Sequence, residues 1–158
     1  MNENLELLMH VYQTAEMGVY TTNNLLTLLM KKDNKITHVL ECELKEYEKY
    51  TKESEMLLEK YDIEAKSSGI MAKLSSDIGM SMETMKDNSD PAIAAMLIEG
   101  LTMGTVEMNI KVNKYKKVCE KDILAIAQDL LKFQENEIAK YPLISEEKIE
   151  TDFYRLVS

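Results

Sequence analysis

The chain has 158 residues, 45% hydrophobic and 30% charged, with a net charge of -9, which is enough apolar material for one domain with its own core. Its acidic balance and its one arginine, Arg155, exclude the nucleic-acid binders, whose affinity rests on Lys and Arg. With only 2 Pro and 5 Gly among abundant Leu, Met, Glu, Lys and Ala, the sequence predicts long helices and no strands.

The first predicted helix spans 5–32, with Leu5, Leu8, Tyr12, Ala15, Val19, Thr22, Leu26 and Leu29 on one face at spacings of three and four. The polar turn Lys32-Asp33-Asn34-Lys35 sends a second helix, 35–61, back antiparallel. Its inward stripe is Ile36, Val39, Leu40, Glu43, Tyr47, Tyr50, Ser54, Leu57, Leu58 and Tyr61. Residues 62–90 interrupt the pattern with Ser67-Ser68-Gly69, Gly79 and Asp87-Asn88-Ser89, and read as a crossover holding a shorter helix over 70–85. Ser89-Asp90-Pro91 signals a start, with an acidic N-cap ahead of a proline at the first helical position. A third helix covers 91–118. The fourth covers 120–141, with Ile123, Ile126, Ala127, Leu130, Phe133, Gln134 and Ile138 inward, and Pro142 is expected to end it. The tail, 143–158, suits a short amphipathic helix through Ile149, Phe153 and Leu156.

The fold class expected is therefore all-α, a single four-helix bundle over 1–158 with a short C-terminal helix. The crossover is long enough to return along the whole bundle and make the third helix parallel to the second. An extra helix packed on an ordinary up-and-down bundle is the other topology it allows. In the crossover arrangement Glu16, Tyr50, Glu107 and Gln134 fall at one level, and Glu43, Glu99 and Tyr141 at another, ~13 Å away.

Charge is scarce on two of the helices. Between Leu7 and Met30 the only formal charge is Glu16, and between Pro91 and Ile110 only Glu99 and Glu107 occur. A helix apolar nearly all round is expected to be buried, so these carboxylates should be partly desolvated and in need of a proton, donors or a metal. Gly100 and Gly104, one turn apart, would make room for Tyr47 or Tyr50. The hydrogen-bonded alternative to a metal is a polar layer in which Glu16 and Glu107 meet Tyr50, Tyr12 or Gln134 and fix helix register. The methionines of 71–108 carry no Met-x-x-x-Met array and read as core packing rather than a copper site.

In helix lengths, crossover and inward carboxylates, residues 5–141 resemble the ferritin-like superfamily, which includes ferritins, rubrerythrins and manganese catalases. The segments Ala94-Ala95-Met96-Leu97-Ile98-Glu99-Gly100-Leu101-Thr102-Met103-Gly104 and Ile70-Met71-Ala72-Lys73-Leu74 look like an uncharacterised group of bacterial ferritin-like proteins. Metal-binding members supply one Glu from each of two helices and a Glu-x-x-His from each of the other two. By that resemblance Glu16 and Glu107, or Glu99 in place of Glu107, match the first type. The second and fourth helices have no Glu-x-x-His and offer Tyr47, Tyr50, Gln134 and Glu137 instead. The resemblance thus implies a degenerate site, with Glu16, Glu107, Tyr50 and Glu99 as metal candidates and iron or manganese as the metals to consider beside no cofactor at all.

No Gly-rich phosphate loop, Ser/His/Asp or Cys/His set, or zinc spacing is present. The functional expectation is a non-enzymatic structural or interaction protein, and the alternative a metal-binding or redox protein using core carboxylates. Helical faces left by the crossover and tail suit a homodimer. No run approaches the uncharged length of a membrane span, the start Met1-Asn2-Glu3-Asn4 lacks a basic signal, and Cys42 and Cys119 suit reduced thiols, so no membrane and a cytoplasmic location are expected.

Overall fold

The computed structural model describes residues 2–66 and 86–157, with residue 2 and residues 144–157 described by their backbone alone. Four helices account for most of them: α1 (Asn2–Leu28), α2 (Ile36–Lys60), α3 (Asp90–Tyr115) and α4 (Lys121–Val157). No strand occurs among the described residues, so the architecture is the all-α four-helix one expected. The short helix expected over 70–85 lies outside the described residues.

The ends of the helices follow from local chemistry. α1 closes in a tightened turn, with Lys32 N donating to the Leu29 carbonyl at 3.0 Å, an i to i−3 bond of the kind that finishes a helix. α2 ends in a Schellman motif: Asp62 N donates to the Glu59 carbonyl at 3.0 Å and Ile63 N to the Leu58 carbonyl at 2.8 Å. Asp62 takes φ 54 there, where glycine is the usual occupant.

Two expectations at helix ends are corrected. Ser89, not Asp90, is the N-cap of α3, its side chain accepting from Ala92 N at 3.5 Å. Asp90 is thereby free to reach α2, whose N-cap Lys35 has no capping side chain of its own. Its carboxylate accepts from Lys35 N at 3.0 Å, Ile36 N at 3.4 Å and Asn34 Nδ2 at 2.9 Å. The second correction is that α4 continues through Pro142 to Val157, so the fourth helix and the separate tail helix are one element. Proline costs a helix one backbone bond and crowds the carbonyl four residues back. Here the turn before it is held by Tyr141, which is fully buried and hydrogen-bonded across the bundle.

Two apolar clusters divide the core along its length. The first joins Leu7, Leu8 and Val11 of α1 to Tyr50 and Leu58 of α2, Met108 and Val112 of α3, and Ile123 and Leu130 of α4. The second joins Leu25 and Leu29 to Ile36 and Leu40, Ile93 and Leu97, and Tyr141. The start of α1 therefore meets the end of α2, the end of α3 and the start of α4, and α2 and α3 run in the same direction. α1 packs chiefly on α2 and α3 on α4. From Tyr61, whose hydroxyl donates to Asp122 at 2.6 Å, the chain turns back beside α1, where the Lys66 carbonyl accepts from Gln13 Nε2 at 2.9 Å.

α3 is the exception to inward patterning. It is long and apolar enough, by length and composition, to cross a membrane, the only such helix among the described residues, and 33% of that stretch is buried. Ile93, Leu97, Leu101, Met108 and Val112 enter the core. On the other side Met103, Val106 and Ile110 remain 70%, 55% and 62% exposed.

Candidate functional site: a buried acid, amide and phenol layer

The polar side chains that do enter the core come mainly from α2 and α4. Glu43, Tyr47 and Tyr50 lie at i, i+4 and i+7 of α2, and Gln134, Glu137 and Tyr141 at i, i+3 and i+7 of α4, so each set occupies one helical face. All six are buried, Glu43 and Glu137 to 3% exposure each. The Tyr141 hydroxyl donates to Glu43 Oε2. One turn along, Gln134 Nε2 donates to the Tyr47 hydroxyl at 3.2 Å, and Phe133 packs edge-on to the Tyr47 ring with centroids 5.2 Å apart. The Tyr50 hydroxyl donates to the Asp129 carbonyl at 3.2 Å. Lys140 pairs with Glu137 Oε1 at 2.8 Å and keeps 48% of its side chain in solvent, so the charge of this layer has one outlet.

The electrostatics of Glu43 follow from that setting. Burial first, then the neighbouring Glu137 charge and hydrogen bond, push its carboxyl from 4.5 up to about 9. Near neutral pH Glu43 therefore keeps its proton. Glu137 Oε2 is buried without a hydrogen-bond partner. The two carboxyls thus neighbour each other in the core, Glu43 bonded to Tyr141 and Glu137 to Lys140. Gln134 Oε1 is left as a buried acceptor without a partner. Burial and the Glu43 charge also move the Tyr47 phenol further from ionising.

The residues singled out from the sequence are placed differently. Glu16 is half-buried on α1 and accepts from the Tyr12 hydroxyl at 3.2 Å, within its own helix. Glu99 and Glu107 stand exposed on α3, which corrects the expectation that they are desolvated. An all-apolar helix does not reveal which face is covered, and these two lie on the open one. Tyr50 is buried, but its hydroxyl is bonded to backbone. The structure does not bring these four together. It does bring Glu43 to Tyr141, as the level assignment expects, and it sets Gln134 beside Tyr47 rather than Tyr50. The room for Tyr47 comes from Gly18 of α1, where a Cβ would collide with the ring, while Gly100 has nothing within 4 Å and Gly104 only Gln134 Nε2 at 4.0 Å.

These side chains do not fit a metal pair of the Glu and Glu-x-x-His kind. Glu43 is bonded to Tyr141 and Glu137 to Lys140, and no imidazole joins them. His38 is exposed beside Cys42, and His10 lies half-buried on α1, at a groove of about 670 Å³ lined also by Leu5, Met9, Ile63 and Lys111. Burial lowers the His10 pKa. Among the described residues no three His, Cys, Asp or Glu side chains converge. Fold and site together define an all-α four-helix bundle with a buried acid, amide and phenol layer. Comparison with protein-family models, curated proteins and solved structures finds no match for the chain.

Proposed function

We propose that this chain is a ferritin-like bundle that works as a non-enzymatic interaction protein, with the outer face of α3 as its working surface and the acid, amide and phenol layer as a degenerate, structural remnant of a metal site. The observation that carries the reading is the open apolar face of α3, with Met103, Val106 and Ile110 more than half exposed. Apolar side chains grouped on one helical face mark a contact surface far more often than scattered ones do. The shared direction of α2 and α3 supports the ferritin-like topology, with residues 62–90 as its crossover. The bonds of Tyr141 to Glu43 and of Gln134 to Tyr47 support a structural layer, because they join α2 to α4 through side chains of the chain itself. Two free cysteines, Cys42 and Cys119, suit a reducing cytoplasm.

The test is the double variant Val106→Lys with Ile110→Lys. If α3 presents a working surface, the thermal midpoint in dilute solution stays within about 2 °C, since substitution at open sites costs little. A fall of about 10 °C or more would show that the chain's own residues cover that face, and the reading would be lost. Elemental analysis of protein purified without chelators is the companion measurement. Iron or manganese at one per chain, lost in Glu16→Ala or Glu107→Ala, would favour the metal-binding alternative.

A further inference from the structure

On α3 and the turn that ends it, Glu99, Met103, Val106, Ile110, Asn113 and Lys117 are all exposed. They follow one another at steps of four, three, four, three and four, which is the spacing of a coiled-coil seam. The seam is ~27 Å long at 1.5 Å per residue. It starts on an acid, ends on a base and is apolar between them, and Lys114 and Lys116 add positive charge at the basic end. A helix patterned in this way is complementary to itself reversed.

We propose that a second copy of this chain docks on this face, α3 against α3 in antiparallel register about a two-fold axis. The proposal rests on the reading of α3 as the working surface and names its partner. Antiparallel seams pack each position of one kind against the other kind in the partner helix. In the register that follows, Val106 meets the partner's Ile110, Met103 meets the partner's Asn113, and Glu99 meets the partner's Lys117. Each contact occurs twice by symmetry. Sliding by one heptad in one direction would set Ile110 against Glu99, and in the other Val106 against Lys117, so charge and apolarity select the same register. Gly100 beside the seam, where a Cβ would meet nothing within 4 Å, lets the partner's Lys114 pass close to the backbone. The two copies of Glu107 face each other across the axis, which gives the interface an acidic contact that limits its affinity at neutral pH.

Sedimentation equilibrium of the full chain, from micromolar to near-millimolar concentration and at low and high salt, tests the pairing. A dimer is expected whose dissociation constant rises at least about a hundredfold in Ile110→Lys, where two apolar contacts are lost at once. Glu99→Lys alone and Lys117→Glu alone should each weaken it about tenfold at low salt, by turning two ion pairs into repulsions. The double variant Glu99→Lys with Lys117→Glu should restore it, and Glu107→Gln should tighten it about twofold. Charge swaps that fail to compensate overturn the register, and with it the proposal. A chain that stays monomeric, or one that co-sediments with phosphatidylcholine vesicles and does not dimerise, overturns it as well. If Val106→Lys with Ile110→Lys is thermally silent in such a monomer, the working-surface reading survives the loss of this partner. If that variant unfolds early, both are lost.

Discussion

Replacing Glu43 with glutamine separates the acid's proton from its shape. In the folded chain the Glu43 carboxyl holds its proton up to about pH 9, against 4.5 without burial. Below pH 4.5 both folded and unfolded chains are protonated there, and the group costs nothing. As the pH rises from 4.5 toward 9 the unfolded chain releases a proton that the folded chain keeps, so stability falls by about 1.4 kcal/mol per pH unit. By pH 8 this amounts to a cost on the order of 4–5 kcal/mol, before relaxation of the site. Glutamine cannot ionise, its carbonyl can accept from Tyr141 as Glu43 does, and its amide can donate to Glu137 in place of the acid proton. Urea unfolding followed by circular dichroism from pH 4.5 to 8.5 is the assay. The variant should match or fall slightly below the parent at pH 4.5 and exceed it by about 3 kcal/mol at pH 8. Other carboxyls titrate oppositely, among them Glu6, held low by the Tyr115 hydroxyl, and Asp87, held low by the Ser89 backbone. They are common to both proteins and drop out of the difference. Parallel stability curves across this range would refute a protonated Glu43.

Three further substitutions probe the fold around this layer. Gly18→Ala adds a Cβ where the Tyr47 ring lies; overpacking outweighs the better helix propensity, and stability should fall by about 1–2 kcal/mol, seen as a thermal midpoint several degrees lower. Asp62→Gly relieves the left-handed backbone at the end of α2 and should raise stability by ~0.5–1 kcal/mol in the same denaturation experiment. Asp90→Ala removes the acceptor for Lys35 N, Ile36 N and Asn34 Nδ2 and should cost about 1–2 kcal/mol. Faster hydrogen exchange at Lys35 and Ile36 would place that loss at the start of α2, and unchanged exchange there would refute the capping role.

The sequence is most informative where one face of a helix is apolar and the other charged. On α2 the pattern locates both ends to within a residue and puts Glu43 in the inward stripe, where a charged residue among Leu and Tyr marks the buried layer. On α4 the expected inward stripe holds Gln134 but not Glu137, which the structure buries one turn further along. On α3 that contrast is missing. With apolar residues all round, nothing local distinguishes the core side from the open side, so Glu99 and Glu107 read as buried although they are exposed. The glycine that admits Tyr47 is equally silent, because Gly18 is recognised only when α1 and α2 are brought together. Ser89 and Asp90 are both good N-caps, and only the position of α2 shows why the serine caps α3 and the aspartate is used elsewhere. Pro142 is a strong local stop that the buried Tyr141 beside it overrides.

Two helices that run in the same direction bring like poles together. α2 and α3 both begin at one end of the bundle, and each helix start carries roughly half a positive charge from its aligned peptide dipoles. Asp90 sits in the first turn of one and within hydrogen-bond distance of the first amides of the other. Its single negative charge is about what two such poles require. Asp90 therefore offsets both poles from one position. One residue holds that balance for both helices, and its loss would be felt in α2 and α3 together.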